Sequence, residues 1–217
     1  MNEKPILFSG PMVRAILDGT KTQDRRVIKL AGRRPEFCGS GGRDGPDWND
    51  PTCWGWEDAD HGDWVTLKRE AGQRMGWLDW AGAYQPGMKL WVRETFCYSA
   101  SGGYDAKPGF DMETGANSIW YRATDDGQCE GPWRPSIYMP RWASRITLLV
   151  KEVRAERLRE ISDNDCREEG IHSLLANDGA YLRGAFGHLW DSINGKRPGC
   201  SWADNPWVAA ISFEVMR

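Results

Sequence analysis

No run in the chain approaches the roughly 18 consecutive apolar residues that a membrane-spanning helix requires. The stretch after Met1–Lys4 has no apolar signal-peptide core, so the expectation is a cytoplasmic protein with no membrane association. Histidine is scarce: His61, His172 and His188 show neither an HExxH pattern nor paired spacing. The six cysteines at 38, 53, 97, 129, 166 and 200 contain no Cys-x-x-Cys. These gaps argue against the common zinc signatures and predict reduced thiols rather than a disulfide framework. No metal or cofactor is expected. A Walker loop, a GxGxxG between strand and helix, and a GxSxG elbow are all missing, which removes the common nucleotide-dependent and α/β-hydrolase readings. Excess positive charge is absent too. With 28 Lys plus Arg against 31 Asp plus Glu, the net charge is -3, the wrong sign for a protein that coats DNA nonspecifically.

The 217 residues suit one domain, taken as residues 1–217, large enough to fold around its own core without metal or cystine. Tryptophan is abundant, 13 in all, and Trp48, Trp54, Trp56, Trp64, Trp77 and Trp80 fall in one Gly- and Asp-rich stretch. From about 31 to 85 no period of 2 or 3.6 persists, which reads as an insertion. Its aromatic faces suit either stacking on unpaired bases or a small core of their own. Trp91, Trp120, Trp142, Trp190 and Trp207 stand in expected strands or helices and are assigned to the core.

Ser9-Gly10-Pro11 followed by Met12, Val13, Ile16 and Leu17 predicts a short amphipathic helix ending at Gly19. The polar segment after it reads as a loop entering a short strand. A strand is expected over Lys89–Phe96, with Glu94 on its apolar face. A Gly-rich stretch from Ser99 to Gly115 leads to a short strand near 118–123, and Arg145–Val153, rich in β-branched residues, predicts a central strand. Ser162-Asp163-Asn164-Asp165 opens a short helix closed by Gly170. A second helix is expected over Tyr181–Ile193, and Trp207–Val215 alternates as a last strand. This order suits an α+β fold, a small mixed β-barrel with flanking helices.

Between residues 21 and 34 the cations Lys21, Arg25, Arg26, Lys29, Arg33 and Arg34 face Asp24 alone. The segment is either a focused positive site for phosphate or nucleotide, or a solvated basic face. Lys21 beside other cations would have a lowered pKa and serve as a base, whereas Asp24 would hold it charged; the two readings predict opposite shifts. Glu94 either lines or supports a cleft, pairing with Arg26 or Arg93, or is a structural ion-pair partner.

Several blocks resemble phage and prophage proteins of the ASCH family: Pro5–Ser9, Met12–Gln23, Leu90–Phe96, Met139–Arg145, Leu189–Asn194 and Asn205-Pro206-Trp207. The resemblance implies a PUA-like β-barrel with a cleft, as in relatives that bind RNA, modified bases or nucleosides. A related bacterial N4-acetylcytidine amidohydrolase uses a Gly-x-Lys-x-x-Thr-x-Arg motif and a later glutamate. By position the lysine falls on Lys21, the arginine on Arg26 and the glutamate on Glu169, with Glu168 one residue away. The threonine position holds Asp24. The resemblance therefore implies a hydrolase of the N4-acyl amide of modified cytosine nucleosides, with Lys21, Asp24 and Glu169 catalytic and Arg25, Arg26, Arg93 and Glu94 binding substrate. Asp24 would activate water, Lys21 polarise the carbonyl and Glu169 protonate the leaving amine. The alternative is a noncatalytic, phage-encoded module binding RNA, single-stranded DNA or a modified base, with the partner a nucleoside or nucleic acid in either case.

Overall fold

The computed structural model describes residues 3–30, 32–57, 64–68, 76–77, 84–98, 119–125, 129, 131–171 and 179–216. The expected Gly-rich stretch Ser99–Gly115, together with Trp80, His61 and His172, lies outside the described residues. The architecture is α+β, with more strand than helix. The chain divides into two compact units. The first comprises Met1–Gly19, Lys89–Leu149 and Val215–Arg217; the second comprises Thr20–Met88 and Val150–Glu214.

In the first unit, β1 (Glu3–Leu7) runs parallel to β6 (Lys89–Arg93). The other edge of β6 pairs antiparallel with the start of β9 (Thr147–Arg157), Lys89 facing Leu149. Helix α1 (Gly10–Leu17) takes its first turn at Pro11 and buries Val13 and Ile16, the apolar spacing that made it legible. The strand expected over Lys89–Phe96 is broken. β6 ends at Arg93, and β7 (Phe96–Tyr98) starts a separate pair with β8 (Ile119–Tyr121). Phe96, Met139 and Ala143 form a core cluster here.

Cys97 and Cys129 are joined as a disulfide, which corrects the expectation of six reduced thiols. Residue spacing along the chain gave no sign of it, because the partners are 32 residues apart. Trp142, assigned to the core, is 51 % exposed.

In the second unit, β2 (Gln23–Val27) pairs antiparallel with β10 (Trp207–Val215), which neighbours the later part of β9. Helices α2 (Asp163–Glu168) and α3 (Gly179–Asn194) complete a core of Leu158, Ile161, Cys166, Leu182, Phe186, Trp190 and Val208. The insertion builds its own sheet, β3 (Glu36–Phe37), β4 (Trp54–Glu57) and β5 (Trp64–Thr66). Among the described residues no strand pairing closes a barrel.

Of the insertion tryptophans, Trp54, Trp56 and Trp77 are buried, which favours the small-core reading for these three over base stacking. The core has an unusual centre. Arg157, at the end of β9, is buried with its guanidinium carbon 4.2 Å from the ring centre of Trp54, 4.6 Å from Trp207 and 5.3 Å from Trp48. Its Nη atoms donate to the carbonyls of Trp48 and Asn205 at 2.9 and 3.3 Å. Burial draws this guanidinium down to about 10, with Glu160 opposing. Ring faces thus hold a cation that no carboxylate pairs among the described salt bridges.

Replacing Arg157 with Ala should remove both stem and cation from under three indoles and lower unfolding stability by about 2–4 kcal/mol. Arg157→Met, which keeps the volume, should lose about 1 kcal/mol or less; urea titration followed by tryptophan fluorescence separates the two. A thiol titration in denaturant without reductant should find four reactive cysteines, Cys38, Cys53, Cys166 and Cys200, and six after reduction; six at the outset would remove the disulfide.

Candidate active site

The segment expected to be a loop entering a strand is instead packed in from its first residue. Thr22 N–H donates to the Glu168 carbonyl at 2.8 Å, Phe213 N–H donates to the Thr22 carbonyl at 2.9 Å, and Lys21 forms a bridge with Glu169. Residues 21–25 are thereby held between α2's end and β10. Opposite Arg25 and Arg26 on β10 stand Ala210 and Ala209, side chains too short to contest the space that charged groups occupy.

Glu169 is placed by the end of α2. Ser162 and Asp165 form a reciprocal capping box at the helix start. At the other end Gly170 takes φ +88°, and Ile171 N–H reaches back to the Cys166 carbonyl at 3.0 Å. That left-handed turn stops the helix immediately after Glu169 and fixes where its carboxylate projects.

Lys21 is 1 % exposed, yet its ammonium is saturated with acceptors. Nζ donates to Glu169 Oε2 at 2.6 Å and to the Gln23 carbonyl at 2.7 Å, and lies 3.1 Å from Asp24 Oδ1. The second oxygen of Asp24 accepts from Arg26 Nε at 2.6 Å. The second oxygen of Glu169 accepts from Arg25 at 3.0 Å. Arg25 is itself buried and gripped by Glu156 at 2.6 Å, with Asp165 at 3.5 Å. Of the expected site residues, Lys21, Asp24, Arg25, Arg26 and Glu169 therefore form one cluster. Glu168 is turned to other partners, Gln23 at 3.1 Å and Asn164 at 2.8 Å.

Burial works against the Lys21 ammonium, but Glu169 and Asp24 outweigh it and hold the group above its ordinary value. Of the two opposed readings, the charged lysine is the one the geometry supports. The two carboxylates on that ammonium are driven apart. Burial pushes both upward; Arg26 and Lys21 overcome it at Asp24, which is held low. At Glu169 burial and the neighbouring Asp24 prevail over Lys21 and Arg25, and its pKa is raised. Asp165, pushed up by burial, is held down to about 2 by hydrogen bonds from Ser162 and the charge of Arg25.

Glu94 and Arg93 belong to the first unit and have partners of their own. Glu94 is buried and accepts from Arg145 Nε and Nη2 at 2.9 and 3.0 Å. The structural ion-pair reading is the one observed, with Arg145 and not Arg26 or Arg93 as partner, because its fork matches the carboxylate bidentately. Arg93 Nε donates to the Met139 carbonyl at 2.9 Å and lies over Trp91.

The basic face expected over 21–34 is much reduced, since Lys21 and Arg25 are buried in ion pairs. Lys29, Arg33 and Arg34 remain at the surface; Arg33 pairs with Glu36 and Arg34 donates to the Gly199 carbonyl. Sequence reasoning missed Glu156, Asp165 and Gln23. The alternating charges Glu152, Arg154 and Glu156 along β9 were the one available signal for the first of them.

Among the described residues no group of three or more His, Cys, Asp or Glu is arranged to hold a metal ion, and no helix is long and apolar enough to cross a membrane. No protein-family model, no curated protein and no solved structure matches the chain.

Removing one partner of a buried ion cluster is strongly destabilising, so Lys21→Met should lose about 3–5 kcal/mol near neutral pH. The loss should be smaller at pH 5 than at pH 8. Without Lys21 the Glu169 pKa rises further above its unfolded value, and stability that depends on a bound proton is present at low pH and lost as pH rises through the folded pKa. Urea unfolding at the two pH values measures this; an equal loss at both would show that Glu169 does not take up the proton.

Proposed function

We propose that this chain is an ASCH-type, PUA-like amidohydrolase that cleaves the N4-acyl amide of modified cytosine nucleosides, acting in the cytoplasm of a bacterial host as a phage-encoded protein. The observation that carries the reading is the pair of carboxylates, Asp24 and Glu169, sharing the Lys21 ammonium with their proton affinities moved in opposite directions. Such a split defines a base and an acid within one site. The family and the substrate rest on the sequence resemblance.

In this mechanism Asp24, ionised, takes a proton from water as its oxygen attacks the acyl carbon. Lys21 stays protonated and turns the N–H now given to the Gln23 carbonyl toward the oxyanion that develops on the substrate's carbonyl oxygen. The C–N bond then breaks as Glu169 delivers a proton to the departing N4, releasing cytidine and a carboxylic acid. Asp24 and Glu169 bond the same Nζ, so a proton handed from Asp24 to Lys21 as Lys21 hands one to Glu169 resets both. Arg26 is 37 % exposed while Lys21 and Asp24 are buried; an incoming substrate meets Arg26 first and must draw it off Asp24 to reach the carboxylate.

Purified protein incubated with N4-acetylcytidine should release cytidine, followed by chromatography. Asp24→Asn and Glu169→Gln should each lower kcat by about a hundredfold or more. The wild-type rate should rise with pH as Asp24 ionises and fall as Glu169 loses its proton. No turnover of any N4-acylcytidine by wild type ends the enzyme reading, and turnover by Asp24→Thr alone would mean a pocket whose present chemistry is different.

A further inference from the structure

The two thiols that the fold leaves within reach of solvent stand opposite each other. Of the four cysteines outside the disulfide, Cys166 and Cys200 are buried, Cys53 is half-buried and Cys38 is exposed. In the pairing of β3 with β4, Phe37 faces Trp54. The next positions out are therefore Cys38 and Cys53, and Cys38 N–H donates to the Cys53 carbonyl at 2.9 Å. Residues opposed across such a bond in an antiparallel pair have α-carbons about 5.5 Å apart, the separation that a disulfide most often spans.

Two local features bring the side chains toward each other. Cys53 ends the 3-10 turn Pro51–Cys53, and its N–H goes back to the Asp50 carbonyl at 3.0 Å instead of across the ladder. Gly39 carries no side chain where one would collide: a β-carbon there would lie 2.8 Å from that of Cys53 and 2.9 Å from that of Asp47. The Cys53 side chain thus points at the chain just where it leaves Cys38. The segment between the two thiols carries Trp48, whose carbonyl accepts from Trp54 Nε1 at 2.8 Å and from Arg157 at 2.9 Å, and whose ring lies against the Arg157 guanidinium.

We propose that Cys38 and Cys53 are a site of reversible disulfide formation, which closes segment 38–53 around Trp48 and so braces the indole box about Arg157. The oxidant is a small-molecule disulfide, RSSR. The Cys38 thiolate, the accessible one, attacks one sulfur of RSSR and expels RS⁻. Cys53 then attacks the Cys38 sulfur of the mixed disulfide, the Cys38–SR bond breaks and a second RS⁻ leaves. The two cysteine protons end on two RSH, so the protein sulfurs are oxidised by the two electrons that reduce RSSR. Closing a loop of this length stabilises the folded chain by restricting the unfolded one. The site does not involve the groups around Lys21, and the inference does not depend on the amidohydrolase reading.

The test treats the folded wild-type protein with oxidised glutathione, blocks remaining thiols by alkylation and digests with trypsin without reductant. Trypsin cuts after Arg33, Arg43 and Lys68, which puts Cys38 and Cys53 on separate peptides. Those two peptides should be found joined, and separate again after reduction. The thiol count in denaturant should fall from four to two, and the melting temperature should rise by about 3–10 °C. Cys38→Ser should show neither the joined peptides nor the rise. Cys53→Ser should keep glutathione on Cys38, because the second displacement is lost. Glutathione retained on wild-type Cys38, a dimer linked through Cys38, four thiols after treatment, or joined peptides with no rise in melting temperature overturns the proposal.

Discussion

A lysine ammonium with almost no access to water sets the terms for the second unit. Stripping that charge of its hydration costs several kcal/mol, and the chain offsets it with two carboxylates and a carbonyl within hydrogen-bonding reach. Those carboxylates then need cations of their own. Glu169 takes Arg25 and Asp24 takes Arg26; Arg25 in turn requires Glu156. The network ends only where Arg26 and Arg154 reach the surface. Each member is tolerable because its neighbours are present, so β2, β9 and the end of α2 are tied together by charge as much as by apolar burial.

The same unit solves a second buried cation by other means. Arg157 has carbonyls and three indole rings about it, where Lys21 has carboxylates. The difference follows from the two side chains. A guanidinium is planar and weakly hydrated, so ring faces and a few carbonyls suffice, whereas an ammonium is compact and strongly hydrated and calls for full anions. The ring solution leaves no carboxylates behind it and therefore little chemistry. The carboxylate solution leaves two titratable groups on one ammonium, which Arg157 lacks.

What was legible in the sequence is what repeats with a period. The spacing of Val13 and Ile16 and of Phe186 and Trp190 each reports one buried face; the alternation from Trp207 to Phe213 also marked its strand, although Trp207–Ile211 is buried on both faces. The break of the strand at Glu94 was hidden, because Glu94 keeps the alternation going while its carboxylate is drawn to Arg145, more than fifty residues away. β1 was equally hidden: only Ile6 in it is deeply buried, so no pattern betrays it. The exposure of Trp142 runs against composition, since large aromatics are usually core. At the site, Lys21 and Asp24 stood out in the charged segment 21–34 and Glu169 came from resemblance, while Glu156 and Asp165 came only from the fold. Partners of a buried charge are chosen in three dimensions and leave no spacing along the chain.

Under the proposed reading, the aspartate at the position of the family's threonine does more than change the attacking group. A threonine there would put no charge beside Glu169. Asp24 does, and its negative charge is one of the forces that raise the Glu169 pKa. Two carboxylates a few ångström apart on a single ammonium cannot both be comfortably ionised. The one with Arg26 as well as Lys21 has its proton affinity held down, and the other has it raised. On that reading a hydroxyl nucleophile would be traded for a water-activating carboxylate, and the same carboxylate would raise the proton affinity of Glu169, the group that would serve the leaving amine. The same coupling would also bind the two roles together, because any group that pulls Arg26 off Asp24 weakens Asp24's hold on its charge and hence the force that raises the Glu169 proton affinity.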